Sequence, residues 1–467
     1  MCANLQSASV DASVSVNETI RLPHRRSFNR RIVHAAAWLG GAGILVKIVA
    51  VFKEIAVAGV YGRSDAIDAF FAAALIPSLL VNLVSESMNQ ALVPTFVRVR
   101  EKQGREAAGQ LLSNSMLSMC LLLAASAATM AICARLFFPL IASHFAPAKL
   151  ALSIRLFYGL LPVVVFTGIA TLCTGVLNTF DRFALPALAP MVNSVAIILG
   201  ALLLSSRFGI WALVYAMVAG SIAHAALVGG MMRGHGLHLR LRWYGMTEAT
   251  REVARQYGPV LLSGVVASGG LLIDQAMAAM LPAGSVSALV YANRFVSVIL
   301  TLLAGSVSSA VTPYFSTMIA HGDWEQCRHT LRTWLRLTLL VSTPIALALM
   351  AGGHLLVRVA LQHGAFGPRD TAVVAQVLVM FAVQVPFFVS SRVFYRFLVA
   401  MRRTDLVFYC GTVNLGLDVV LNLTLMRWLG VAGIALATSL WIVSTFFFLW
   451  YWTRRVLHAA STAQTAD

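Results

Sequence analysis

The chain has 467 residues, of which 59% are hydrophobic and 11% charged, with a formal net charge of +17. A soluble domain is about a quarter charged, and one soluble core does not recur as a dozen separate apolar runs of roughly 20 residues. The composition therefore excludes a soluble enzyme and predicts an all-α polytopic membrane protein. Its basic residues sit mostly in short loops between apolar runs, a topology signal rather than a basic domain that tracks nucleic acid.

Residues 1–32 are polar and end in Arg25, Arg26, Arg30 and Arg31. They read as a disordered cytoplasmic tail without the apolar core of a cleaved secretory signal. Twelve spans follow. The first six, at about 33–60, 69–97, 111–142, 152–177, 184–205 and 209–231, make one lobe over 33–231. A basic cytoplasmic linker occupies 232–254. The other six, at about 255–281, 286–317, 330–356, 371–398, 405–426 and 430–453, make a second lobe over 255–453. A cytoplasmic tail, 454–467, closes the chain. Prolines inside several spans are tolerated in a bilayer. The six cysteines show no paired spacing and predict neither disulfides nor zinc. The loops RVREKQGR and NTFDR, the linker and the tail gather most of the Lys and Arg, which puts both termini in the cytoplasm of a bacterial inner membrane protein.

An internal repeat organises these spans. ALVPTF at 91–96 aligns with AVTPYF at 310–315, and RFALPALAPMVN at 182–193 aligns with RRTDLVFYCGTVN at 402–414. The offset of about 220 residues relates two parallel six-span lobes by a pseudo-two-fold axis along the membrane normal. Two such lobes predict a V-shaped central cavity and a transporter.

DAFFAAALIP, ALVPTF, LNTFDRFALPALAP, LQHGAFGPRDT, RVFY and GIALATSL, in that order, resemble the MurJ/MviN family. Those are lipid II flippases of the multidrug/oligosaccharidyl-lipid/polysaccharide exporter superfamily. The resemblance implies alternating access for an undecaprenyl-pyrophosphate-linked saccharide, moved from the cytoplasmic to the periplasmic leaflet. The chain departs from the family pattern in three places. Lys47 and Lys53 stand where the family usually has arginines, Val81 or Asn82 replaces a second-helix arginine, and many members have two further C-terminal helices. The cargo is accordingly lipid II or a lipid-linked exopolysaccharide repeat unit. A cation-coupled multidrug antiporter shares the two-lobe design but calls for an acidic or aromatic cavity. A membrane-embedded transferase calls for a catalytic cluster, and none is evident, so no enzymatic activity is expected. The expected partners are the lipid-linked saccharide pyrophosphate, membrane lipids and the cell-wall or polysaccharide synthesis machinery, with a monomeric protein.

Ionisable residues at membrane depth cost about 2.5–3.5 kcal/mol each on insertion scales, so each needs a task or a partner. Lys47, Lys53, Arg294, Arg392 and Arg396 form a cationic set suited to a pyrophosphate, and the resemblance marks Arg294 as a cavity arginine. The alternative for the lysines is snorkelling toward a helix end. Glu54 lies seven residues after Lys47 and shares its face. Asp68 begins the second span, where a carboxylate caps free N–H groups; the resemblance is compatible with a gate contact at the outer mouth. Glu86 lies deeper and is read as neutralising a cavity lysine. Asn414, Asp418 and Asn422 recur at i, i+4 and i+8 on the eleventh span, with Asp274 on the seventh and Thr438 on the twelfth. These hard oxygen donors suit a small hard cation. In the repeat Asn193 matches Asn414, but Ile197 stands where Asp418 would. The resemblance implies a sodium site at Asp274, Asn414, Asp418 and Thr438; a hydrogen-bonded cluster or a proton-binding aspartate are the alternatives. LQHGAFGPRDT is read as a turn with Asp370 or Thr371 near a helix N-cap.

Overall fold

The computed structural model describes residues 25–466 apart from 143, 181–183, 235, 236 and 238–240. Its helices are α1 (Arg25–Tyr61), α2 (Asp65–Val81), α3 (Ser87–Ile141), α4 (Pro147–Leu177), α5 (Ala184–Leu188), α6 (Met191–Leu199), α7 (Ser205–Phe208) and α8 (Trp211–Gly234), followed by α9 (Glu248–Ala278), α10 (Ser285–Ala320), α11 (Trp324–Leu361), α12 (Pro368–Ala382), α13 (Gln384–Ala400), α14 (Thr404–Leu429) and α15 (Val431–Ala466). Among the described residues nine helical stretches are long and apolar enough to cross a membrane. The chain is a multi-pass, all-α membrane protein.

One of those stretches, Asp65–Ile141, runs 77 residues. At 1.5 Å per residue it is several times longer than a hydrocarbon core of about 30 Å, so it cannot be a single crossing. Gly104, at φ 91° and ψ 179°, breaks it into two passes. A five-residue π-helical turn, Asn82–Glu86, joins α2 to α3 within the first of them. The predicted fifth span is likewise divided, with a π-helical turn at Gly200–Leu204, and the tenth is α12 and α13 end to end. Split at Gly104, the nine stretches make ten crossings among the described residues, and α1 (37 residues) and α9 (31 residues) occupy the remaining two predicted spans.

The repeat is visible in the backbone. Gly209 ends α7 at φ 54° and ψ −133°, and Gly430 ends α14 at φ 57° and ψ −134°. They stand 221 residues apart, each in a left-handed conformation that spares only glycine the Cβ clash. In the first lobe α4 packs against α2, α3 and α8; in the second, α13 packs against α10, α11 and α15. Large apolar side chains such as Ile132, Leu136, Leu340 and Leu355 are exposed on the outside, as lipid contact requires.

Several boundaries differ from the sequence reading. Helix α1 begins at Arg25, so 25–32 belong to a helix and not to a disordered tail, while residues 1–24 lie outside the described residues. Helix α15 continues to Ala466, through the expected tail. The linker is stitched to the first lobe rather than loose. Buried Asn114 accepts from the Tyr244 N–H at 2.8 Å and donates to the Gly245 carbonyl at 2.9 Å and the Thr250 hydroxyl at 3.1 Å. Helix α9 then packs mainly on α3, and also on α14.

Candidate functional site: a clasp, a cavity and a carboxylate cluster

The two lobes meet at the end of the bundle where α1 stops and α10 starts. Asp68, 1% exposed, lies at the centre of this clasp. Its Oδ2 accepts from the Gly284 N–H at 2.6 Å and its Oδ1 from the Ser287 N–H at 2.9 Å, while Lys149 pairs with Oδ2 at 3.0 Å. A carboxylate here satisfies orphan N–H groups and complements the dipole of α10. The expectation that Asp68 caps its own helix is therefore corrected: Ser64 is the N-cap of α2, and Asp68 caps the helix of the other lobe.

Further contacts complete the clasp. Arg63 donates through Nε to the Gly284 carbonyl at 2.9 Å and pairs with Asp370 at 3.3 Å. The Ala365 N–H donates to the Gly59 carbonyl at 2.7 Å, and the Tyr291 hydroxyl to the Gly62 carbonyl at 3.2 Å. Glycine is required at this approach. A Cβ on Gly364, at φ +59°, would lie 2.2 Å from the Gly59 oxygen, and one on Gly284, at φ +83°, would lie 2.8 Å from the Arg63 oxygen. Within LQHGAFGPRDT the N-cap is Gly367, with Asp370 at the third helical position accepting from the Gly367 N–H at 3.0 Å.

Just inside the clasp, Glu54 is buried on α1. Lys53 Nζ lies 2.9 Å and Arg294 Nε 3.0 Å from its Oε1, forming a three-residue ion cluster across the lobes. Lys47 is half-buried one face along the helix, within electrostatic reach of Arg294.

Below this lies a cavity of about 1060 Å³. It runs from Arg294 to Thr404, the first residue of α14, and so extends toward the linker end of the bundle while the clasp seals the other. Arg294 and Arg392 supply its positive charge; Asn82, Glu86 and Gln90 face them from the first lobe. Asn82 and Glu86 bracket the π-helical turn, a distortion that re-aims side chains and recurs at functional sites. Among the described residues Glu86 forms no ion pair, so the expected neutralising lysine is not there. Lys47, Lys53, Glu54 and Asp68 do not line the cavity. The predicted cation set is thus divided, with α1 contributing to the clasp region and α10 and α13 to the cavity wall.

Asp274, Asn414, Asp418 and Thr438 of the second lobe also line this cavity, with Asn422 buried behind them. The Asn422 amide donates to Asp274 Oδ1 at 2.9 Å and Asp418 Oδ1 at 3.1 Å, and Thr438 donates to Asp274 Oδ2 at 2.9 Å. Asp418 Oδ2 and Asn422 Oδ1 are buried without a hydrogen-bond partner. Gly270 leaves the first of these clear, since a Cβ there would lie 3.5 Å away. Two buried carboxylates sharing one amide, with two orphaned oxygens, fit a small hard cation. Asn414 stands a turn off, donating to Thr445 at 2.6 Å and to the Cys410 sulfur at 3.3 Å. Asn422 hydrogen-bonds the two aspartates, while Asn414, on the same face of α14, lines the cavity beside Asp274, Asp418 and Thr438.

Two packed sets of membrane helices, clasped at one end over a charged cavity, have the architecture of a membrane transporter. A family model described as lipid II flippase MurJ matches residues 57–466. The chain belongs to the MurJ family. It is 25% identical over 417 residues to a probable lipid II flippase MurJ of Bdellovibrio bacteriovorus, covering 88% of this chain and 80% of that one. It is 27% identical over 372 residues to lipid II flippase MurJ of Burkholderia cenocepacia, covering 75% and 70%. Among solved structures, lipid II flippase MurJ in an inward closed conformation superposes with a TM-score of 0.77 at 23% identity, over 89% of this chain and 87% of that one. An inward-facing multidrug resistance MATE family transporter gives 0.71 at 15% identity, over 90% and 96%.

Proposed function

We propose that this protein flips lipid II, a polyprenyl-pyrophosphate-linked saccharide, from the cytoplasmic to the periplasmic leaflet of a bacterial inner membrane. The observation that carries the reading is the cavity between the lobes, with Arg294 and Arg392 on its wall. A diphosphate leaving water needs cations that replace its hydration, and guanidinium forks do so with bidentate geometry. Membership of the MurJ family supports lipid II as the cargo.

In this reading the clasp is the periplasmic gate, and the linker end, with both termini, faces the cytoplasm. The headgroup enters from the linker end and draws Arg294 away from Glu54. Loss of that contact loosens the clasp, and the lobes re-pair at the other end. The protein acts as a monomer between the reactions that build the precursor and those that polymerise it. A sodium ion held by Asp274, Asp418, Asn422 and Thr438 would supply a positive charge between two carboxylates. Asn422 orients both carboxylates, and Thr438 ties α15 to α9 through Asp274.

Proteoliposomes carrying fluorescent lipid II test the reading. The wild-type protein should expose the inner-leaflet pool to an external quencher, and Arg294→Ala should not. An inner pool that stays protected with the wild-type protein would refute it.

A further inference from the structure

A second cavity, of about 670 Å³, opens between α10 and α13. Its α10 wall carries Ser297, Thr301 and Gly305 at successive turns, small residues that leave the space between the helices unfilled. A Cβ on Gly305 would meet nothing within 4 Å. Its α13 wall carries Phe388, Arg392 and Arg396, again one turn apart. The Arg392 guanidinium sits over the Phe388 ring at 4.3 Å, and Arg396 Nε is buried with no hydrogen-bond partner. Among the described residues neither arginine has a carboxylate within ion-pair distance.

Both helices are membrane-spanning here. Charged side chains at such depth are retained where they meet a counter-charge, and the described residues supply none within ion-pair distance. Arg392 lines both this groove and the central cavity. Arg392 thus joins the groove, with Arg396, to the central cavity, with Arg294. Two guanidinium forks one turn apart offer a bidentate partner to each of two phosphoryl groups.

We propose that the α10–α13 groove is a docking subsite for a lipid-borne pyrophosphate, occupied before the headgroup reaches the central cavity. The inference rests on the flippase reading above. Arg396 is the entry contact and Arg392 the shared one, and the small α10 face gives the headgroup room.

The test is binding of undecaprenyl pyrophosphate to the full-length protein in phosphatidylcholine nanodiscs. Arg396→Gln should weaken binding on the order of ten-fold. Gly305→Leu, which fills part of the groove and leaves both arginines in the sequence, should weaken it comparably, and Arg396→Lys should restore part of the loss. Inorganic pyrophosphate, which offers the same two phosphoryl groups, should compete, and phosphatidylglycerol, with a single phosphodiester, should not. Unchanged affinity in Arg396→Gln and Gly305→Leu, with binding lost in Arg294→Ala, would overturn the groove and leave the flippase reading standing. Competition by phosphatidylglycerol, or none by inorganic pyrophosphate, would overturn the assignment to a pyrophosphate. No binding by the wild-type protein would overturn the flippase reading itself.

Discussion

Glu54 of α1 holds Arg294 of α10 at 3.0 Å, so the main cation at the head of the cavity is balanced by a carboxylate of the opposite lobe. The same oxygen meets Lys53 at 2.9 Å. The contact couples the state of the cavity to the state of the clasp, because an anion that takes Arg294 removes an interlobe tie. Glu54→Gln should therefore favour the open clasp. Arg294 is 54% exposed, so solvent screening keeps the stability change near about 1 kcal/mol. The larger effect is on accessibility. In a background without native cysteines, the thiol of Ala58→Cys, at a position 0% exposed in the clasp core, should be alkylated faster once Glu54→Gln is added. An unchanged rate would uncouple the ion cluster from the clasp.

Asp68→Asn should loosen the same end by a different route. The amide keeps the size of the carboxylate but offers one acceptor oxygen to the two N–H groups of α10 and no charge to Lys149. Loss of a helix cap and of a buried charged hydrogen bond costs about 1–3 kcal/mol. Lys149 stays paired with Asp65 at 2.6 Å, which limits the damage. Thermal unfolding should fall and alkylation of Ala58→Cys should rise; a variant that matches the wild type in both would remove Asp68 from the clasp.

Gly364→Ala tests the clasp sterically. Its φ of +59° and the 2.2 Å approach of a Cβ to the Gly59 oxygen leave no room for a methyl group. The 362–367 loop must move off α1, and transport should slow while insertion is preserved. Gly352→Ala on α11, where a Cβ meets nothing within 4 Å and which lines neither cavity, is the control. Wild-type transport in Gly364→Ala would show that the loop does not need this contact.

The carboxylate cluster makes a thermodynamic prediction. A ligand that binds only the folded state raises stability by RT ln(1 + [L]/Kd). Sodium chloride should raise the melting temperature of the wild-type protein above its value in choline chloride, and Asp418→Asn should abolish the difference. An equal sodium response in Asp418→Asn would place any sodium site elsewhere.

How much of this was legible in the sequence follows from the range of each interaction. The spans and the repeat rest on local hydropathy and on aligned motifs, and Gly209 and Gly430 bear the repeat out in their matching backbone angles. The oxygen cluster was legible because Asn414, Asp418 and Asn422 share a face at helical spacing. Which amide bridges the two aspartates was not, since that depends on where α9 places Asp274, 148 residues away from Asn422. The clasp was the largest omission. Asp68 meets the Gly284 N–H across 216 residues and Arg63 meets Asp370 across 307, and contacts of that range leave no periodic mark. Gly62 and Gly284, near the repeat offset and both at positive φ, were the available signal. LQHGAFGPRDT read as a plain turn because a turn's glycines look alike whether they serve the bend or a neighbouring strand of backbone.

The most direct test of the account is complementation of a bacterium depleted of its own lipid II flippase. The wild-type gene should restore growth and cell shape, and Arg294→Ala, inserted to the same level, should not. A wild-type protein that reaches the membrane in full amount and leaves the depleted cells to lyse would contradict the assignment of lipid II as its cargo.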